Sequence, residues 1–419
     1  LWYAQAGTPR LAVAEDWHDG TYTLTLRQTT PPTPGQPDKA PLVIPVALGL
    51  LSPDGHEVLP TTVLELTEAE QSFVFPGLAA RPVPSLLRGF SAPVVLERES
   101  SREERVFLLA HDTDTFTRWE ANRDLARACL LAMVTDGADP DAAWLDGLET
   151  VLRDASLDPA YRALMLGVPT QSDLAQALHD RGVTPDPEAI WAATERLRDA
   201  RATRWAELLP QLADEARVEA PYRPDAAQSG RRSLGSAVLA LTTRLDGGSA
   251  AEAQYDRADN MTLQLSALAC LVQAGRGAEA LARFRAQWQG DRLVMDKWFG
   301  LQIAASDPTE TVAVTEALTR DPDFDWTNPN RFRAVFGALA GHHAGFHRAD
   351  GAGYDLLADW LIRLDDKNPQ TTARMCAAYQ SWRRYDPDRQ AKMRAALDRI
   401  AAKPGLSRDV TEMVTRLIA

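Results

Sequence analysis

The change of pattern near residue 100 constrains this fold more than any other feature of the sequence. Thirteen of the 27 prolines lie within the first 99 of 419 residues. Proline removes a backbone donor, so it is confined to loops, turns and strand edges. Beyond residue 100, apolar side chains recur at helical intervals of three and four. The sequence therefore predicts two domains, a β-sandwich over residues 1–99 and an all-helical domain over residues 100–419.

The first part has the pattern of short strands joined by turns. Thr21–Arg27 alternates, so that Tyr22, Leu24 and Leu26 share one face of a strand. Further short apolar runs occupy 42–51, 63–66, 72–75 and 93–97, with a turn at 52–55 and a proline-rich loop at 31–37. Pro45 interrupts one run, which predicts an edge position or a bulge. Short strands at this spacing favour an Ig-like β-sandwich.

The second part has the pattern of many amphipathic helices. Apolar residues recur at i, i+3, i+4 and i+7 from Leu265, from Leu357 and from Met393. Ser101 and Glu104 have the spacing of a capping box at the first helix. A helical segment of about 320 residues exceeds the ~250–300 residues at which single cores stop growing. We therefore expect stacked helix pairs in a superhelical, α-solenoid-like array, without a constant repeat length.

Asp-Pro and Asn-Pro pairs punctuate the helical part and are absent from the first 99 residues. They lie at 139–140, 158–159, 186–187, 307–308, 321–322, 328–329, 368–369 and 386–387. The Asp or Asn side chain accepts from an early helical amide, and proline suits the first helical position. These pairs predict helix starts, and capping accounts fully for Asn328 and Asn368.

Charge and cysteine content exclude several classes of partner. The formal charge is −13, and neither part is basic, which argues against nucleic acid and anionic membranes as partners. Three widely spaced cysteines suit a reducing compartment and a cytoplasmic protein rather than a disulfide framework. No run of 18 apolar residues is present.

Residue chemistry alone reveals no active site. The only His-Glu pair, His56-Glu57, is not part of an HExxH zinc motif. His343 and His347 are four residues apart and could share a metal on a helix. Glycines surround them and no carboxylate lies between them, so a loop with surface or capping histidines is favoured.

Several segments resemble the C-terminal half of bacterial aminopeptidase N, a zinc metallopeptidase family of the gluzincin type. They are Phe90-Ser-Ala-Pro-Val94, Asp114-Thr-Phe-Thr-Arg-Trp-Glu120, Ala258-Asp-Asn-Met-Thr262, Leu293-Val-Met-Asp-Lys-Trp-Phe299, Thr327-Asn-Pro-Asn-Arg-Phe-Arg333, Phe346-His347, Lys367-Asn-Pro-Gln370 and Arg383-Arg-Tyr-Asp386. The similarity runs in order from Trp2 to the end of the chain.

This resemblance implies a part of an enzyme rather than a whole one. In the family, the zinc ligands, the general-base Glu and the transition-state Tyr belong to a catalytic domain that this chain lacks. Zinc would be bound in the full-length enzyme and not by this chain, and the fragment alone would be inactive. The partners implied are the catalytic domain of the same polypeptide and peptide substrates, in a monomeric enzyme. The start at Leu1 rather than Met fits a piece of something longer.

The resemblance also implies which side chains face the peptide. Matching motif positions gives Gln370 and Arg374, with Arg333 nearby, as substrate-binding residues, and no catalytic or metal-binding residue. Gln370 and Arg374 share one helix face because they are four residues apart. The alternative for Arg374 is a surface ion pair with Asp365 or Asp366.

A second function class stays open on the sequence. A free-standing helical array could bind peptides or proteins on its concave face without any enzyme attached. We expect Trp298 to be a core anchor under either hypothesis.

Overall fold

The computed structural model describes residues 1–419, and it places every strand before residue 98. The seven strands are β1 (Arg10–His18), β2 (Thr21–Thr29), β3 (Ile44–Leu51), β4 (Glu57–Leu66), β5 (Glu70–Phe75), β6 (Val83–Leu86) and β7 (Val95–Glu97). They form a four-stranded sheet of order β5-β2-β1-β7 and a three-stranded sheet of order β4-β3-β6. The predicted β-sandwich is confirmed.

Alternation on β2 builds the core of this sandwich. Tyr22, Leu24 and Leu26 are all 0 % exposed, as the period of two predicts. The four other apolar runs lie in or overlap β3, β4, β5 and β7. The sequence interpretation missed β1 and β6. The signal for β1 was Asp19-Gly20, whose positive φ values make the tight turn of a β1–β2 hairpin.

Pro45 lies on the middle strand of the smaller sheet, at a point where that strand has one neighbour. β6 pairs only with residues 48–51 of β3. The amide of Ala47 donates to Ser91 Oγ rather than to a strand, at 2.9 Å. The amide positions of Pro45 and Ala47 are two residues apart, so they face the same side of β3, where no neighbouring strand pairs with them. Proline has no N–H donor, and none is needed on that side. The predicted edge position is therefore correct locally.

A buried arginine follows β6 and ties the sandwich to the first helices. Arg88 is 3 % exposed, and its guanidinium contacts Glu57 at 2.5 Å and Asp112 at 3.0 Å. Its Nε donates to Ser85 Oγ at 2.8 Å. The hydrogen bond from Arg88 lowers the pKa of Glu57. Gly49 makes room for this group, because a methyl group there would overlap the guanidinium.

Twenty helices follow the strands. They are α1 (Arg102–His111), α2 (Thr115–Thr135), α3 (Ala142–Arg153), α4 (Pro159–Met165), α5 (Gln171–Asp180), α6 (Pro187–Arg204), α7 (Leu209–Glu215), α8 (Ala226–Asp246), α9 (Ser249–Arg257), α10 (Met261–Gln273), α11 (Ala278–Trp288), α12 (Arg292–Ala304), α13 (Thr311–Thr319), α14 (Pro329–Phe332), α15 (Ala338–Gly341), α16 (His343–Phe346), α17 (Ala352–Asp365), α18 (Pro369–Met375), α19 (Pro387–Ala401) and α20 (Arg408–Ile418). An all-helical array after a β-sandwich is the fold class that the sequence predicts.

Five of the eight Asp-Pro and Asn-Pro pairs begin helices, namely those at the starts of α4, α6, α14, α18 and α19. The other three do not. Asp139 is displaced by Asp141, which caps α3, and Asp307 and Asp321 close short turns through their side chains. An Asp-Pro pair therefore does not begin a helix when another aspartate two residues later caps the helix instead. It also does not begin one when its own side chain closes a short turn that no helix directly continues.

The predicted capping box at α1 is only half formed. Ser101 Oγ accepts from the amide of Glu104 at 3.1 Å. The Glu104 carboxylate instead contacts Arg98. A complete reciprocal box occurs at α5, between Thr170 and Asp173.

The predicted apolar faces are buried as expected on some helices and displaced on others. Met393, Ala396, Leu397 and Ile400 of α19 are all 0 % exposed. On α10 the buried stripe is displaced by one residue, to Gln264, Ala267, Leu268 and Leu271. Trp298 is 7 % exposed and donates to Leu281 O at 3.0 Å, as expected of a core anchor.

The stretches 219–233 and 246–260 are polar and rich in Gly, Ser and Pro, which predicts loops, but the structure makes each of them partly helical. Residues 226–233 open α8, where Asp225 accepts from the amide of Gln228 at 2.8 Å. The stretch 246–260 consists of the last residue of α8, a Gly247-Gly248 turn, the helix α9 and a short connection at residues 258–260. The loop prediction is therefore correct for residues 219–225, 247–248 and 258–260 and wrong for the helical residues of both stretches.

Contacts divide the chain into two compact units. The first comprises residues 1–129 with 141–157, and the second comprises residues 130–140 with 158–419. The first unit therefore contains the sandwich together with α1, most of α2, and α3. No helix is both long and apolar enough to cross a membrane.

We expect Gly49→Ala to destabilise the first unit by about 3 kcal/mol, since it displaces a buried guanidinium from two carboxylates. The free energy of unfolding is measured by chemical denaturation, and calorimetry provides a second measurement of stability. Gly290→Ala is the matched control, because a methyl group there meets open space. Equal stability of the two variants would contradict the structural role given to Arg88.

Candidate functional site

The groove that holds two of the candidate residues lies between α18 and α20. α18 begins at Asn368, whose side chain accepts from the amide of Thr371 at 2.9 Å, and Pro369 occupies the first helical position. This start places Gln370 and Arg374 one turn apart on an exposed face. Both side chains line an open groove of about 350 Å³.

The opposite wall of this groove belongs to α20. Asp409, Glu412, Met413 and Arg416 line it, at the i, i+3, i+4 and i+7 positions of that helix. The other face of α20 is buried through Val410, Val414 and Leu417. Amphipathic packing therefore turns one charged stripe toward Gln370 and Arg374.

The charges in this groove are not neutralised within the chain. Arg374, Arg416, Asp409 and Glu412 form no ion pair with any of residues 1–419, and the guanidinium of Arg416 contacts only Met413 Sδ, at 3.3 Å. A guanidinium without a partner can present its planar fork to a carboxylate or a peptide carbonyl. The groove presents two guanidinium groups, two carboxylates and the amide of Gln370, all of which can bind polar groups of a peptide.

The alternative partners of Arg374 are occupied elsewhere. Lys403 contacts Asp365 at 3.1 Å and Asp366 at 2.5 Å. Asp365 also accepts from the amide of Ser407 at 3.0 Å. The alternative of a surface ion pair for Arg374 is therefore wrong, because both carboxylates bind Lys403, which lies 38 and 37 residues further along the chain.

Arg333 is not among the residues that line this groove. It lies at the start of a π-helical turn, Arg333–Gly337, directly after α14. Its Nε donates to Pro329 O at 3.1 Å and its Nη2 to Asn330 Oδ1 at 2.7 Å. The exposed guanidinium of Arg333 is therefore bound to residues of α14, the helix directly before it.

The glycine-flanked histidines are buried rather than exposed. His342, His343 and His347 are each at most 8 % exposed, so the expectation of surface histidines is wrong. His342 does act as a cap and accepts from the amide of Gly345 at 3.1 Å. The glycines allow close packing here, since a methyl group at Gly345 would overlap Thr311.

Tyrosine hydroxyls and one arginine enclose these rings. His343 Nε2 lies 3.0 Å from the Tyr385 hydroxyl, and His347 Nδ1 lies 2.9 Å from the Tyr354 hydroxyl. Arg389 donates to His347 O at 2.7 Å. Arg389 also contacts Asp386 at 2.8 Å and Glu188 at 2.5 Å, so this cluster joins α6, α16, α17 and α19.

The cluster keeps His343 and His347 neutral. Burial lowers the pKa of His343 to about 4 and the pKa of His347 well below its ordinary value, with Arg389 and Arg384 adding repulsion. No group of three His, Cys, Asp or Glu side chains in residues 1–419 is arranged to hold a metal ion. The cluster is a structural core element and offers no metal centre.

The sequence interpretation missed the α20 side of the groove. The signal was present as an i, i+3, i+4, i+7 stripe of charge from Asp409 to Arg416. What that stripe faces depends on the packing of α18 against α20, which no local pattern encodes.

Two protein-family models match the chain. One, described as a domain of unknown function with ARM repeats, matches residues 102–419. The other, described as a domain of unknown function with an Ig-like fold, matches residues 7–99. Helical repeats therefore occur where the sequence showed no constant period.

Similar proteins span all of this chain. Aminopeptidase N of Caulobacter vibrioides is 39 % identical over 427 residues, and that of Escherichia coli is 36 % identical over 440 residues. The solved structure of Legionella pneumophila aminopeptidase A in complex with aspartic acid matches with a TM-score of 0.82 and 27 % identity. The chain covers 49 % or 50 % of each, so it spans about half the length of these relatives.

The buried histidines predict a loss of stability in acid. The pKa of His343 is lower in the folded chain than in the unfolded chain, so between pH 6.5 and about 4 the unfolded chain binds more protons. Stability is thus complete above pH 6.5 and falls as the pH drops through this window. The shift at His343 corresponds to roughly 3 kcal/mol.

We expect His343→Gln to flatten this pH dependence, measured as unfolding free energy at pH values across that window. His18→Gln is the control, because the His18 side chain is 81 % exposed. An identical pH slope in both variants would show that His343 does not titrate on unfolding.

Proposed function

This chain belongs to the aminopeptidase N family and matches its C-terminal half, and we propose that it is the non-catalytic part of a zinc-dependent aminopeptidase that removes N-terminal residues from peptides. The observation that carries the proposal is the share of each related aminopeptidase that this chain covers. The whole chain aligns with aminopeptidases N, yet it accounts for only about half of each. The division into a sandwich domain of residues 1–99 and a helical domain of residues 100–419 is part of this proposal.

Zinc, in this proposal, is held outside the chain. The donor side chains of residues 1–419 do not fit a zinc site, because no three of them converge. Metal-assisted activation of water would be supplied by the catalytic domain of the longer polypeptide. No step of the chemistry is assigned to this chain.

The contribution of the helical domain is to enclose the cavity that peptides enter and to position them there. The unneutralised guanidinium of Arg374 and the exposed amide of Gln370 support a role in peptide contact. Arg333 belongs to this set by resemblance alone, since its guanidinium is bound to Asn330.

A cytoplasmic location is proposed from the thiols. Cys129, Cys270 and Cys376 are all buried, and none forms a disulfide. Burial raises the pKa of Cys376 to about 12, which keeps that thiol protonated and unreactive. The net negative charge supports the absence of nucleic-acid and anionic-membrane partners. A monomeric state is part of the proposal and rests on no observation of this chain.

We expect Arg374→Ala in the full-length enzyme to raise KM for peptides about tenfold, because a charged hydrogen bond to substrate is lost. Zinc content should stay normal. The experiment is steady-state hydrolysis of short and long peptides, with Arg257→Ala as the control, since Arg257 is exposed and lies outside the groove. An unchanged KM for every peptide length would remove Arg374 from the site.

The 419-residue chain alone should not hydrolyse leucine or alanine p-nitroanilide with or without added zinc, whereas the full-length protein should. The comparison uses equal molar amounts and measures bound zinc by elemental analysis. Hydrolysis by the chain alone would refute the proposal. Inactivity of both proteins would favour the free-standing peptide-binding array instead.

A further inference from the structure

A cavity of about 450 Å³ lies within the first compact unit, where the end of the sandwich meets α1 and α2. Its volume falls in the ~300–1,000 Å³ range of small-molecule sites. Its lining is Pro84, Leu86, Leu87, Phe90, Val94, Val95, Leu96, Leu108, Phe116 and Ala121, with Ser100, Thr117 and six charged side chains. Apolar side chains share this lining with polar and charged groups, so a ligand that fits it has both an apolar body and charged groups.

Strained backbone presents one wall of this cavity. Leu87, Gly89 and Phe90 have φ values of 56°, 61° and 56°. The intervening Arg88 is buried in its ion pairs and holds the turn in place. Phe90 is left 57 % exposed, with its ring 5.5 Å from that of Phe116. For the two non-glycine residues, Leu87 and Phe90, this conformation is strained by about 1–3 kcal/mol each, and such strain persists where the surroundings over-determine it and clusters at functional sites.

One cation in the cavity has no partner. Arg98 is bound by Glu15 and Glu104, and Arg127 contacts Asp124 at 2.7 Å. Arg105 also lines the cavity, and its backbone amide donates to Ser101 O at 3.1 Å, but its guanidinium forms no hydrogen bond or ion pair with any of residues 1–419. Its guanidinium is therefore available to a carboxylate.

One anion in the cavity is only weakly neutralised. Glu120 is half-buried, and burial raises the pKa of its carboxyl. The guanidinium of Arg123 lies 3.6 Å away, beyond hydrogen-bond distance, and stacks over Trp119 at 5.1 Å. The carboxylate of Glu120 therefore retains the capacity to accept from an ammonium group.

We propose that this cavity binds a free apolar L-amino acid. Its carboxylate would pair with Arg105, its ammonium group with Glu120, and its side chain would lie against Phe90 and Leu86. A simple apolar anion fits less well, because it would leave the carboxylate of Glu120 unpaired beside it. The proposal does not depend on peptidase activity, since every residue it uses belongs to this chain.

The test is isothermal titration of the 419-residue chain with L-leucine and with its two truncated analogues. Isocaproate lacks the ammonium group and isoamylamine lacks the carboxylate. We expect saturable binding of L-leucine, with each analogue at least about tenfold weaker. Arg105→Gln and Glu120→Gln should each weaken L-leucine binding by a similar factor.

Two matched variants serve as controls. Arg257→Gln and Glu68→Gln remove exposed charges outside the cavity and should bind L-leucine as the parent chain does. Should either cavity variant fail to fold, the analogue series on the parent chain decides alone.

Three results would overturn the proposal. One is the absence of saturable binding up to about 10 mM L-leucine. Another is equal affinity for L-leucine and both analogues, or for the parent chain and folded cavity variants. The third is binding by this chain but not by the full-length protein, which would mean that another segment covers the cavity.

Discussion

Side-chain caps at helix starts set the positions of the functional groups in the helical part. An Asn or Asp oxygen satisfies an early amide and a proline fixes the first residue, so the helix begins at one defined position. The cap at Asn368 thereby fixes the faces that carry Gln370 and Arg374. The cap at Asp186 places Glu188, and the cap at Asp386 places Arg389, which together form the ion pair beside the buried histidines. A shift of one residue at any of these starts would rotate the following side chains by about 100°.

The first compact unit depends on a different interaction, the buried guanidinium of Arg88. It links β4 through Glu57 with the end of α1 through Asp112. The guanidinium of Arg88 occupies space that is free only because β3 has a glycine, Gly49, at that point. Arg88 also lies within the left-handed turn that leaves Phe90 exposed. Stability and the shape of the apolar cavity are therefore coupled through one side chain.

The periodicity of apolar residues predicted which side chains of a strand or helix are buried, because burial along one element follows its own repeat. Tyr22, Leu24 and Leu26 lie on the core face because a strand alternates, and Met393 with its companions because a helix repeats every 3.6 residues. The resemblance proposed Gln370 and Arg374 as substrate contacts, and the structure places both in one groove. Neither kind of argument could find the α20 wall, the burial of His343 and His347, or the capture of Asp365 by Lys403. Each of these depends on contacts between segments distant in sequence.

The central claim is that this chain is one half of an aminopeptidase. Its most direct test is the intact mass and peptide map of the native protein, isolated from its source with an antibody against this chain. A protein about twice this length, with an HExxH peptide upstream of Leu1, is the expected result. A native protein that begins near Leu1 would contradict the claim and identify a stand-alone helical array.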